Sequence, residues 1–114
     1  MTFGERIREL RKAKGLTLRE LAPKVEVGFS YLSRIENGKL NYGDYPSESL
    51  IHRLAQVLDA SEDELLILAE KIPERIKQRV FEHPNEFRVL AELSDQQLQQ
   101  LVANIRNPKQ KQSE

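Results

Sequence analysis

The apolar positions of this chain recur at helical spacing from its first residues almost to its last. Phe3, Ile7 and Leu10 fall at steps of four and three and make one stripe, with Arg6, Arg8, Arg11 and Lys12 off it. Gly15 follows at the position past a helix end where a left-handed residue belongs, and predicts the stop of the first element. Thr17, with Glu20 three residues on, has the pattern of a capping box. Leu18, Leu21, Ala22 and Val25 form the inner face of the helix it opens. Pro23 lies inside that segment and lacks an N–H donor, so the helix must be short. Val27-Gly28 predicts a break. A third short helix, Phe29 to Glu36, turns Leu32 and Ile35 inward and stops at Asn37-Gly38. Residues 39–46 read as a loop by their Asn, Gly, Asp and Pro content. Ser47 caps a fourth helix with Leu50, Ile51, Leu54, Ala55 and Leu58 inside. Ser61, with Glu64 completing another capping box, opens a fifth that carries Leu65, Leu66, Leu68 and Ala69.

Pro73 marks a boundary. Beyond it Ile76, Val80 and Phe81 share a short helical face. Pro84 opens a helix with Phe87, Leu90, Ala91 and Leu93, and Ser94 with Gln97 caps a last one carrying Leu98, Leu101, Val102 and Ile105. No strand-like alternation appears, so the fold class is all-α. The expected organisation is a five-helix domain over 1–71, a small helical region over 72–107 and a disordered tail over 108–114. A region of about 35 residues rarely supports its own core, so it must pack on the first part or on a second copy.

Composition narrows the function. The chain has 114 residues, 39% hydrophobic and 32% charged, enough for one soluble domain with an appendage. Eighteen Lys/Arg balance eighteen Asp/Glu, but unevenly. Residues 1–42 hold nine basic and five acidic side chains, whereas 43–70 hold Arg53 against seven acidic ones. A basic first third suits an anionic partner. The absence of cysteine excludes disulfides and thiol chemistry and fits the cytoplasm. With only His52 and His83 besides, no closed zinc site is expected, and no cofactor. No apolar run approaches the ~20 residues that cross a bilayer, and the start lacks a secretory pattern. Ser30 and Ser33 have no neighbouring His and carboxylate to activate them, so nucleophilic catalysis is disfavoured. Glu62, Asp63 and Glu64 fall in the first turn of a helix, where its dipole favours negative charge. His52 reads as a surface residue and His83 as a capping or turn residue. An enzyme is the least expected class.

The informative stretch runs from Leu16 to Lys39. Two short capped helices joined at Glu26-Val27-Gly28 have the pattern of a helix-turn-helix. Sealing Leu18, Leu21, Leu32 and Ile35 inside leaves Phe29, Ser30, Ser33 and Arg34 on the outer face of the second helix. A helix of that kind can enter a major groove. Arg34 suits guanine O6/N7 or a phosphate, the serines permit close approach, and Phe29 suits a thymine methyl. The free N–H groups at the helix start favour phosphate. Arg6, Arg8, Arg11 and Lys12 are either a phosphate clamp or a solvated face.

These residues resemble the lambda-repressor-like, or xenobiotic-response-element, helix-turn-helix regulators. The resemblance covers about residues 3–70. It rests on Ile7-Arg8-Glu9-Leu10-Arg11, on Gly15 through Ala22, on Tyr31 through Lys39, and on Leu54 through Leu58 with Glu64-Leu65-Leu66. It implies a homodimer on double-stranded DNA. Thr17 and Arg19 would meet the phosphate backbone, Phe29, Ser30, Ser33 and Arg34 would face bases, and Asn37 and Lys39 would approach phosphate, with Gly28 in the same set. Three departures stand out. Arg19 replaces the usual Gln and would lose that residue's bridge to the recognition helix. Phe29 replaces a commoner polar residue. The loop from Leu40 to Pro46 is longer than usual, with Tyr42 and Tyr45 either packing it or touching DNA. The segment from Glu70 to Arg88 is similar to the C-terminal region of small repressors paired with a cytosolic zinc metallopeptidase. That implies dimerisation through the C-terminal helices, here Phe87, Leu90, Leu98, Leu101, Val102 and Ile105, and release of the operator by cleavage there. The rival readings are an antitoxin-type protein that sequesters a partner, and an interaction module without DNA binding.

Overall fold

Helix starts in this chain are set by hydroxyl side chains that satisfy otherwise unpaired N–H groups. Thr2, Thr17, Ser47, Ser61 and Ser94 each accept a hydrogen bond from the backbone N–H three residues on. They open α1 (Phe3–Ala13), α2 (Leu18–Lys24), α4 (Glu48–Leu58), α5 (Glu62–Leu68) and α8 (Asp95–Arg106). The remaining helices are α3 (Phe29–Glu36), α6 (Glu74–Glu82) and α7 (Pro84–Glu92). All eight come from a computed structural model that describes residues 1–40 and 45–108. Tyr42, most of the expected 40–46 loop and nearly all of the 108–114 tail lie outside the described residues.

Reciprocal capping boxes form at Thr2, Thr17 and Ser94. At Ser61 only half of the expected box forms, because the Glu64 carboxylate accepts from Arg6 Nε at 3.0 Å instead of turning back. The helix stops match expectation at Gly15 and Gly38, both left-handed. Pro23 sits one residue from the end of α2, so it removes only the hydrogen bond that would have reached the Arg19 carbonyl.

The chain forms two compact units, Met1–Pro73 and Glu74–Glu114. In the first, α1 packs on α3 and α4, α2 on α3, and α4 on α5. Phe3, Ile7, Leu21, Ala22, Val25, Leu32, Ile35, Leu50, Ile51, Leu54, Ala55, Leu58 and Leu65 make its core. Leu10, Leu18, Leu66, Leu68 and Ala69 pack against that core while staying partly exposed. The α1–α3 contact is so close that a Cβ on Gly4 would lie 2.2 Å from the Ile35 carbonyl oxygen. Only glycine fits there.

In the second unit, α6 packs on α7, and none of the three helices has a buried residue. Phe81, Val89 and Ile105 are well exposed, and Leu98 and Val102 partly so. His83 stands at the N-cap of α7 but makes no capping bond with its side chain; its ring pairs with Glu86 instead. No helix among the described residues is long and apolar enough to cross a membrane.

Candidate nucleic-acid interface

The turn that joins α2 to α3 pivots on Glu26, not on the glycine. Glu26 is left-handed (φ 61°), while Gly28 is extended (φ −74°). The Val27 N–H donates to the Ala22 carbonyl and closes the turn against the small side chain buried there. Gly28 therefore serves as the N-cap of α3 rather than as the break itself. It has no side chain to accept from the first turn, and a Cβ added to it would meet nothing within 4 Å. The result is a helix start whose N–H groups are uncapped and whose approach is clear, a site that favours an anion.

Leu32 and Ile35 anchor α3 in the core and fix which face looks out. Phe29, Ser30 and Arg34 are exposed and Ser33 is half-buried, so the four residues expected on the outer face do lie together there. Thr17 is exposed at the start of α2, its oxygen accepting from the Glu20 N–H. Glu20 reaches back to the Thr17 backbone N–H, which holds its carboxyl below the ordinary glutamate range. Lys39 is exposed just past α3. Asn37 is less free than expected. Its Oδ1 accepts from Arg8 Nη2 at 2.5 Å and its Nδ2 donates to the Ser33 carbonyl at 2.9 Å.

The arginines of the first unit divide into two groups. Arg11 grips the buried Glu36 with Nε and Nη2, at 2.7 and 3.0 Å, and donates Nη1 to the Leu16 carbonyl. That hydrogen bonding raises the Arg11 pKa above its ordinary value against the opposing effect of burial. Arg8 also reaches Glu36, Arg6 binds Glu9 and Glu64, and Arg53 meets Glu26 and the Val25 carbonyl. Of the four basic residues of the first helix that suit either a phosphate clamp or a solvated face, Arg6, Arg8 and Arg11 are instead held by carboxylates of the protein itself. Arg19 and Arg34 form the other group. Among the described residues neither has a carboxylate partner, and each lies over an aromatic ring. The Arg19 guanidinium carbon is 4.5 Å from the Phe29 centroid, and that of Arg34 is 5.9 Å from Tyr31.

In place of the Gln bridge that Arg19 is expected to lose, a different contact joins position 19 to α3: the Arg19 guanidinium lies over the π face of Phe29. Two residues escaped the sequence reading altogether. Gly4 and Glu36 fix how α1 meets α3, and both act across more than two dozen residues of sequence, where periodicity carries no signal. No group of three or more His, Cys, Asp or Glu that could hold a metal occurs among the described residues.

A family model described as "Helix-turn-helix domain" matches residues 2–66. The HTH-type transcriptional regulator SinR of Bacillus subtilis is 44% identical over 64 residues, which is 56% of this chain and 55% of that protein. The chain spans about half the length of the curated relatives it matches. Among solved structures, the N-terminal DNA binding domain of SinR from Bacillus subtilis superposes with a TM-score of 0.50 at 42% identity, covering 56% of this chain and 88% of that one. A chain of the SinR protein/SinI protein complex covers 96% of this chain and 99% of its own length, with a TM-score of 0.53 at 29% identity.

Proposed function

The chain belongs to the helix-turn-helix domain family, and from that premise we propose that it is a sequence-specific DNA-binding transcriptional regulator of the cytoplasm. It acts as a homodimeric repressor on a palindromic operator. The observation that carries this is the sorting of arginines. Those turned toward the core or along α1 are neutralised, while Arg19 and Arg34, on the outer side of α2 and α3, have no carboxylate partner among the described residues. The Gly28 N–H region, Thr17, Arg19 and Lys39 hold the phosphate backbone. Ser30, Ser33, Arg34 and Phe29 face the bases, and Asn37 orders the end of α3 through Arg8. The exposed apolar residues of the second unit support a role in self-association: Phe87, Leu90, Leu98, Leu101, Val102 and Ile105 form the dimer contact. Two recognition helices then read half-sites about 34 Å apart.

A second reading has a specific observation behind it. The near full-length match to a chain of a complex between two different proteins favours a second unit that also takes a heterologous partner. Cleavage within that unit by a partner metallopeptidase would end dimerisation and release the operator. Persistence of the dimer after a cut past Pro84 contradicts that mechanism. The central test is a fluorescence-anisotropy titration on the duplex upstream of the protein's own gene, beside a scrambled duplex. Preference for the native duplex supports the proposal. Equal binding to both moves the operator elsewhere, and absence of binding by a folded protein favours the interaction-module reading.

A further inference from the structure

We infer that Arg19 is a positioning residue for base readout: it locks the Phe29 ring so that the pair selects duplexes bearing a 5-methylpyrimidine opposite the start of α3. This rests on the DNA-binding reading above and extends it to the chemistry of the preferred step.

Phe29 is the first residue of α3 and is 38% exposed. It is neither in the hydrophobic core nor among the side chains packed against it. An aromatic ring on a polar outer face, between Gly28 and Ser30, needs something to hold it. Arg19, from the first turn of α2, lies over its face at 4.5 Å. Among the described residues that stack is the one interaction Arg19 makes. Stacking uses the π face of the guanidinium and leaves its N–H donors, which lie in the plane, free for a phosphate. Arg19 can therefore bind backbone and hold the ring in the same geometry.

The ring offers no donor and no acceptor. Every base edge in the major groove presents polar atoms that would lose their water against it, and only a pyrimidine with a 5-methyl group adds a projecting apolar group to meet the ring. The space beside Gly28 is open, since a Cβ there would meet nothing within 4 Å, and Ser30 adds little bulk. The methyl is supplied by thymine in ordinary DNA or by 5-methylcytosine in modified DNA. Both place it at the same point in the groove.

The test uses the full chain and a randomised duplex library. Duplexes enriched by the wild-type protein are resynthesised with each thymine in turn replaced by uracil, which removes only the methyl group. At one symmetric pair of positions affinity should fall about four-fold, the loss expected for one buried methyl. Phe29→Ala should bind the thymine and uracil duplexes alike. Arg19→Ala should lose the same discrimination although it touches no base, whereas Lys39→Ala should weaken both duplexes equally and keep their ratio. Replacing the critical base pair by cytosine should weaken binding, and 5-methylcytosine should restore it in part. Thermal unfolding of each variant checks that it is folded. The inference is overturned if no thymine-to-uracil change exceeds about 1.5-fold, or if folded Arg19→Ala keeps the discrimination. A library from which nothing is enriched overturns the DNA-binding reading itself, and this inference with it.

Discussion

Arginine has two separate tasks in this chain, and a side chain's neighbours decide which one it performs. Arg11 closes a fork on Glu36, a carboxylate that would be costly to bury alone. Arg34 lies over the Tyr31 ring and has no carboxylate partner among the described residues. The two should therefore fail differently. Arg34→Ala should cost roughly 1–3 kcal/mol in operator binding and leave thermal unfolding unchanged. Arg11→Ala should leave the buried Glu36 with only the longer Arg8 contact among the described residues and cost about 3 kcal/mol of folding stability. Anisotropy and calorimetry on the same two variants separate the cases, and a stable Arg11→Ala would refute the assignment. From sequence alone these residues look alike. Arg11 lies one turn beyond Ile7, but its partner is twenty-five residues away, and no local pattern announces such a pairing. Arg19 and Phe29 each stood out as departures from a family pattern; that they answer one another became visible only in three dimensions.

Elements were more legible than residues because caps and stripes are local. Thr17 and Ser94 could be read as helix starts from the hydroxyl and the residue three on, and Ser47 from the hydroxyl alone, and all three form as expected. α3 and α7 lack such a cap, and its absence at α3 is informative. Gly28→Asp should supply the absent acceptor and raise stability by a few tenths of a kcal/mol. The same carboxylate would meet phosphate, so DNA affinity should fall about ten-fold or more. A variant that gains stability and keeps its affinity would remove the start of α3 from the interface. The cap of α2 carries a pH dependence. Glu20 is held below the ordinary glutamate range by the Thr17 N–H, then by the Thr17 hydroxyl. A depressed pKa in the fold means that this stabilisation is complete above the ordinary range and is lost as pH falls through the folded value. The Thr17 amide signal, followed by NMR, should titrate below an unperturbed glutamate; a midpoint at or above the ordinary value would contradict the cap.

At the scale of the molecule, the sequence marked a break near Pro73 and a second region too small to bury a core, and α6–α8 have no buried residue. On the proposed reading the apolar surface of those helices meets a second chain, which neither periodicity nor composition could supply. Ending the chain after Ile72 should leave the unfolding transition of the first unit nearly intact. Operator affinity should drop by about 100-fold or more, since two linked contacts become one. A shortened chain that still binds as a dimer at the same concentration would contradict the assigned role of the second unit. The division of basic side chains also bears on the ions around the DNA. Of the nine basic residues in 1–42, Arg6, Arg8, Arg11 and Lys14 are paired with carboxylates of the protein itself. Among the described residues that leaves Lys12, Arg19, Lys24, Arg34 and Lys39 to displace condensed cations from the double helix. With each such contact adding about 0.9 to the slope of log affinity against log salt, this region contributes no more than about 4.5 per subunit, roughly half of what its nine basic side chains suggest.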